Sequence, residues 1–186
     1  MVGGLLLLAL VYLAVGQAAA NRGGALTAAD AAALAVAQDR RDELADLWAE
    51  NVLDPVMWSR IFAGDAGVGV ASCARAEQLA ALNDADVLRC TQSGLLAFTV
   101  EVQARSSVGE SIVPGTEDVT SRAVATAVIE PRCAFAPLPT EQEENELPPL
   151  DCRGLEWDIE PESPGDWPTA RDLFDVHLSD QFVVGE

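Results

Sequence analysis

Four cysteines, Cys73, Cys90, Cys133 and Cys152, and a single histidine, His177, are the residues best equipped to do chemistry in this chain. Thiols spaced C-x-x-C would hold zinc or cycle as a redox pair, but no such spacing occurs. One histidine leaves a Cys/His metal site poorly supplied. An even number of cysteines reads better as structural disulfides, which persist in an oxidising, extracytoplasmic compartment. Four cysteines permit three connectivities. Local geometry favours Cys73 with Cys90 and Cys133 with Cys152. A helix of about ten residues after Cys73 spans about 15 Å. A strand of about five residues ending at Cys90 returns about 17 Å. The chain thus doubles back and brings the first two sulfurs together, while Cys152 staples a later loop to the strand that ends at Cys133.

The other chemical candidates have plainer readings. His177 lies between Val176 and Leu178 in an alternating run and reads as a surface strand residue rather than a catalytic base. Residues 63–72 are Gly-rich, but no G-K-[ST] follows them, so they read as a connector and not as a phosphate loop. Asn83, Asp84 and Asp86 lack the Gly and closing Glu of a calcium loop, and read as a cap and turn. No G-x-S-x-G or other nucleophile motif appears. Paired carboxylates are abundant in so acidic a chain and carry little information. The chain is therefore expected not to be an enzyme, and to need no metal, cofactor or small-molecule substrate.

The charge balance narrows the partners. The 186 residues hold 11 basic residues, all Arg, against 30 acidic ones, for a net charge of -19. Nucleic acid and anionic lipid surfaces both call for a positive footprint, so neither is an expected partner by charge. Hydrophobic residues make up 49%, which excludes a disordered acidic tail. Residues 1–20 carry no charge. As a helix they reach about 30 Å, the thickness of a bilayer core. Two readings compete: a retained membrane helix, which is preferred, and a signal peptide cut after Ala18-Ala19-Ala20. Neither has the basic flank expected before the apolar run, which suggests that Met1 is not the true start. Gly3, Gly4, Ala9, Gly16 and Ala20 supply the small residues on which helix contact in lipid depends. No second long apolar run exists, so a multi-span transporter is excluded.

These residues need elements to position them. Gly23-Gly24 is expected to break or swivel the helix, with Thr27 capping a second one in a T-A-A-D start. Without that break, one rod of about fifty residues results. In the segment 21–54, Leu34, Ala37, Leu44, Ala45, Trp48 and Val52 recur at helical spacing, and Pro55 stops the helix near Leu53. Residues 73–83 form a short helix offering Ala76, Leu79, Ala80 and Leu82 to a core. Strands follow at 86–90, 97–105 and 120–129, with a turn at Val113-Pro114-Gly115-Thr116. Phe98, Val100, Val102 and Ala104 alternate cleanly and mark a half-buried antiparallel strand. Ala123, Ala125 and Ala127 suit a face on which a helix packs closely. Residues 137–168 read as an acidic, Pro-rich surface loop. Phe174, Val176 and Leu178, followed by Phe182-Val183-Val184, could add an edge strand. The expected fold is α+β: a long N-terminal membrane helix (1–20), an amphipathic continuation (21–54), a small domain over 73–133 with a short helix on an antiparallel sheet of three to four strands, and an acidic loop with a C-terminal strand (134–186).

Three blocks in this order resemble TadE/TadG-like proteins of tight-adherence pilus systems, closest to the actinobacterial versions. They are Ala28-Ala29-Asp30-Ala31-Ala32-Ala33-Leu34-Ala35, the C-x-x-A-x-x-L-A-A-x-N-x-A-x-x-x-x-C run from Cys73 to Cys90, and the V-P-G-T…E-P-R-C run ending at Cys133. The likeness covers roughly residues 5–133. No prepilin-type processing site is recognised, and Leu26 stands where such proteins often carry Gln. The resemblance implies a pilin-like minor pilin or pilus-assembly component. Such a component would be a single-pass protein of the cell membrane with its C-terminal domain outside. Its N-terminal helix would meet other membrane proteins of the pilus or secretion system.

Overall fold

The computed structural model describes residues 2–67, 69, 71–107, 120–136 and 147–179, leaving aside the side chains of residues 2, 6, 7, 10, 13–15 and 17–21. The turn expected at 113–116, the acidic stretch 137–146 and Phe182-Val183-Val184 lie outside the described residues.

One helix, α1 (Val2–Glu50), runs unbroken for 49 residues. The break expected at Gly23-Gly24 does not occur. The flanking Ala- and Leu-rich segments are strong helix formers, and two glycines cost only about 1 kcal/mol each. That is too little to halt a cooperative helix already propagating from both sides. Thr27 is accordingly no cap: its hydroxyl donates to the Gly23 carbonyl one turn back, at 3.0 Å. The helix ends where Asn51 closes it, its side-chain amide donating to the Leu47 carbonyl at 2.8 Å. Pro55 then opens a helix that the sequence reading missed, α2 (Pro55–Phe62). The Asp54 carboxylate accepts from the Met57 N–H at 3.0 Å, and Pro55 sits in the first turn, where its missing N–H costs nothing.

The third helix, α3 (Ala74–Leu82), has Cys73 at its N-cap and Asn83 at its C-cap. Ala76 and Ala80 are buried, but Leu82 is 75% exposed rather than a core residue. The strands are β1 (Ala85–Gly94), β2 (Ala97–Ser107), β3 (Thr120–Pro131), β4 (Cys133–Ala134), β5 (Leu150–Cys152), β6 (Leu155–Trp157) and β7 (Phe174–Leu178), with a short helix α4 (Ala170–Leu173) before the last. A four-stranded antiparallel sheet has the order β1-β2-β3-β7, and a second sheet has the order β4-β5-β6. The α+β class, the antiparallel sheet and the C-terminal edge strand are all present. At Gly64 the backbone has φ +75°, and a Cβ there would lie 2.7 Å from the Leu96 side chain. Glycine lets the loop after α2 press against the β1–β2 turn.

Helix α1 lies on the inner face of β2 and β3 and also packs on α3. The alternation in β2 holds, with Phe98, Val100, Val102 and Ala104 buried. Opposite the helix, Ala123, Ala125 and Ala127 of β3 are buried, and so are Ala28, Ala29, Ala32 and Ala33 of α1. Small residues on both sides let the helix sit close to the sheet, where there is no room for added methylenes. Ala32→Leu should cost about 1–3 kcal/mol by overpacking. An urea midpoint equal to wild type would show that the helix does not sit against the sheet.

The segment 147–168 is more than a surface loop. Leu150 is fully buried, Ile159 is buried, and β5 and β6 form a hairpin closed by Arg153 and Gly154 in left-handed conformations. Thr169 and Asp172 then make a capping box at α4. The Asp172 carboxylate is held below the usual range chiefly by the Thr169 hydroxyl, at 2.6 Å, and then by the Thr169 N–H. A depressed carboxyl contributes stability above its unfolded pKa and loses it as pH falls through the folded value. Thr169→Ala should therefore destabilise by about 1 kcal/mol at neutral pH and by less in acid. A loss that stayed constant from neutral to acid pH would contradict this role.

Candidate functional site: the projecting helix and the stapled head

The first buried residue among those described is Ala25. Before it α1 extends about 35 Å, at 1.5 Å per residue. Along that stretch Leu5, Leu8, Val11 and Tyr12 are 68%, 66%, 53% and 84% exposed. An added Cβ would meet nothing at Gly3, Gly4, Gly16, Gly23 or Gly24. Apolar side chains exposed in this way, Leu5, Leu8, Val11 and Tyr12, offer a contact surface rather than a share of the core. Among the described residues no helix is long and apolar enough to cross a membrane. The membrane helix expected over residues 1–20 is thus not found among them.

The block Asp30-Ala31-Ala32-Ala33-Leu34 falls where the rod enters the head. Ala32 and Ala33 are fully buried, while Asp30, Ala31 and Leu34 are half-buried. Its alanines serve close helix–sheet packing. Burial pushes the Asp30 carboxyl above its ordinary value. The charged form is thus disfavoured in the fold, and the stability tied to Asp30 falls as pH rises through its titration.

The head is closed by two disulfides, Cys73–Cys90 and Cys133–Cys152. Both bonds follow the expected pairing, and no free thiol remains. Their settings differ in detail from the expectation. Cys90 lies within β1, which continues to Gly94, and Cys133 opens β4 and pairs in register with Cys152 of β5. The first bond ties the start of α3 to β1, with Cα atoms 6.2 Å apart. The second ties the β5–β6 hairpin to the segment leaving β3.

Behind these staples lies an aromatic cluster missed by the sequence reading. Trp48 of α1 packs 5.5 Å from Trp58 and 6.0 Å from Trp167, and Trp58 packs 5.3 Å from Phe135. Trp167, in a segment assigned to the acidic loop, donates its indole N–H to the Glu160 carbonyl at 2.8 Å. Asp42, Asp46, Trp48, Pro164, Trp167 and Pro168 line an open cavity of about 410 Å³. The signal for this cluster was the coincidence of Trp with Pro at 164–168, which acidic composition hid.

The remaining candidates are placed as follows. Asn83 donates its side-chain amide to the Leu79 carbonyl at 2.8 Å, and Asp86 accepts two bonds from Arg105, the shorter 2.6 Å. Asp84 takes the left-handed turn position at φ 52°. Asn83 and Asp86 thus spend their polar groups on a cap and an ion pair, in keeping with the cap-and-turn reading. His177 is exposed on β7, its Nδ1 3.8 Å from an Asp175 carboxylate oxygen. With Glu130 it forms a group of three side chains whose ligand atoms all lie within 4.8 Å of one another. No family model, curated protein or solved structure matches this chain.

Proposed function

We propose that this protein is a membrane-anchored structural component of a cell-surface assembly, a minor pilin or pilus-assembly protein of the tight-adherence kind, acting without catalysis. The observation that carries the reading is the unbroken α1, whose charge-free, apolar N-terminal stretch precedes Ala25, the first buried residue among those described. Twenty uncharged residues suffice to span a bilayer, and the rod needs no reorganisation to pass from lipid into the head. The three sequence blocks resembling TadE/TadG-like proteins point the same way. Two disulfides favour an extracytoplasmic head. A domain of net charge -19 also stays soluble and repels its neighbours except where helices draw them together. The partners are other membrane proteins of the same assembly, met through the exposed face of α1.

A second reading has its own support. Cleavage after Ala20 would leave the head's described buried residues in place, because among the described side chains the first buried one is Ala25. The product would be a secreted, acidic, disulfide-bonded binding domain. Alkaline extraction of membranes and N-terminal sequencing of the mature protein separate the two. The anchored component stays in the pellet with residues 1–20 retained. A soluble protein starting at Asn21 would replace it with the secreted domain.

A further inference from the structure

The outer face of the β3–β7 ladder holds an arrangement that neither the anchor nor the disulfides use. Glu130 pairs with Asp175, and Val128 pairs with His177. Strand alternation puts Asp175 and His177 two residues apart on one face, with Glu130 directly across from Asp175. Ile129 is buried on the opposite face, while Glu130 and His177 are exposed.

Two carboxylates directly opposed across antiparallel strands repel each other. This chain has no lysine to lie between them, and among the described residues Arg153 of the β5–β6 turn pairs with Asp175 and not Glu130, at 3.8 Å from an exposed position. A bound cation would remove the repulsion at its source. The third member of the group decides which cation. Carboxylates alone suit calcium or magnesium, whereas an imidazole nitrogen beside two carboxylate oxygens suits zinc and its neighbours.

We propose that Glu130, Asp175 and His177 bind a divalent ion of the zinc class, with water completing the coordination. One imidazole nitrogen and two carboxylate oxygens already lie within 4.8 Å of one another. A tetrahedral zinc ion with bonds of about 2.0–2.1 Å holds its ligand atoms about 3.3 Å apart. Side-chain rotation closes that difference, because the backbone is fixed by the ladder. The bound ion would pin β7, the edge strand, to β3.

The full chain in detergent micelles, titrated with zinc chloride, tests this. As the only histidine, His177 gives an unambiguous imidazole signal in nuclear magnetic resonance. One equivalent of zinc should shift that signal saturably. Calorimetric affinity should fall at least about tenfold in both Glu130→Gln and Asp175→Asn, which keep His177 as the reporter, and in His177→Ala. Glu156→Gln, on β6, should bind as wild type does. A His177 signal unmoved by zinc would overturn the proposal, as would zinc affinity equal in wild type and His177→Ala. Calcium binding tighter than zinc and indifferent to His177→Ala would reduce the group to an acidic patch and overturn it too.

Discussion

Replacing both cysteine pairs by serine is expected to leave the head unfolded, or nearly so, at temperatures where the oxidised protein is stable. The bonds close loops with sequence separations of 17 and 19 residues. In the chain-entropy account each contributes about 3 kcal/mol, and the two together about 6 kcal/mol. Domains of this size are stable by about 5–15 kcal/mol in total. The core that remains is rich in alanine, which buries little area per residue, and it carries the self-repulsion of 30 acidic groups. The two bonds differ in what they hold. Without Cys133–Cys152 the β4–β5–β6 sheet keeps only strands of two or three residues, too short to persist alone. Without Cys73–Cys90, α3 and β1 still pack on α1 and β2. Urea titration followed by tryptophan fluorescence should show a lower midpoint for each double serine variant. Midpoints within error of the oxidised protein would refute this account of the head.

Trp58→Ala is the next largest expected loss. Trp58 is fully buried, packs at a tilt on Trp48 and edge-to-face on Phe135, and donates its indole N–H to the Asn51 carbonyl at 3.0 Å. That bond joins the end of α1 to α2. Truncation of a buried tryptophan costs about 3–5 kcal/mol. Trp58→Phe keeps a ring in the cluster and loses the hydrogen bond, so about 1 kcal/mol of the loss should remain through that bond, along with the volume change. Chemical denaturation of the two variants checks the order. Equal stability of wild type and Trp58→Ala would mean that α2 is not docked on α1.

How much of this was legible in the residues depended on whether a pattern was local. The alternation of Phe98, Val100 and Val102 marked β2 because a period of two is visible within one strand. Ala123, Ala125 and Ala127 announced a close helix because only small side chains permit one. The Cys73–Cys90 pairing followed from a helix and a returning strand of similar reach, although that strand runs on past Cys90 to Gly94. By contrast, α2 was missed because its eight residues make barely two turns and follow a proline that signals both an end and a beginning. The β5–β6 hairpin was missed because acidic and Pro-rich composition masks Leu150 and Ile159, whose burial depends on contacts far along the chain. The Glu130–Asp175–His177 group was invisible for the same reason: it exists only through the register of β3 with β7. Gly23-Gly24 misled because a glycine pair is a local breaking signal, and helix cooperativity is not a local property.

The central claim is a head held outside the cell membrane by an N-terminal helix. Proteolysis of intact, wall-stripped cells, scored with and without prior reduction and with a thiol-reactive label on the fragments, tests it most directly. The account predicts digestion of residues 21–186 from the outside, and cysteines that accept label only after reduction. Full protection of the head in intact cells, with its cysteines labelled without reduction, would contradict it.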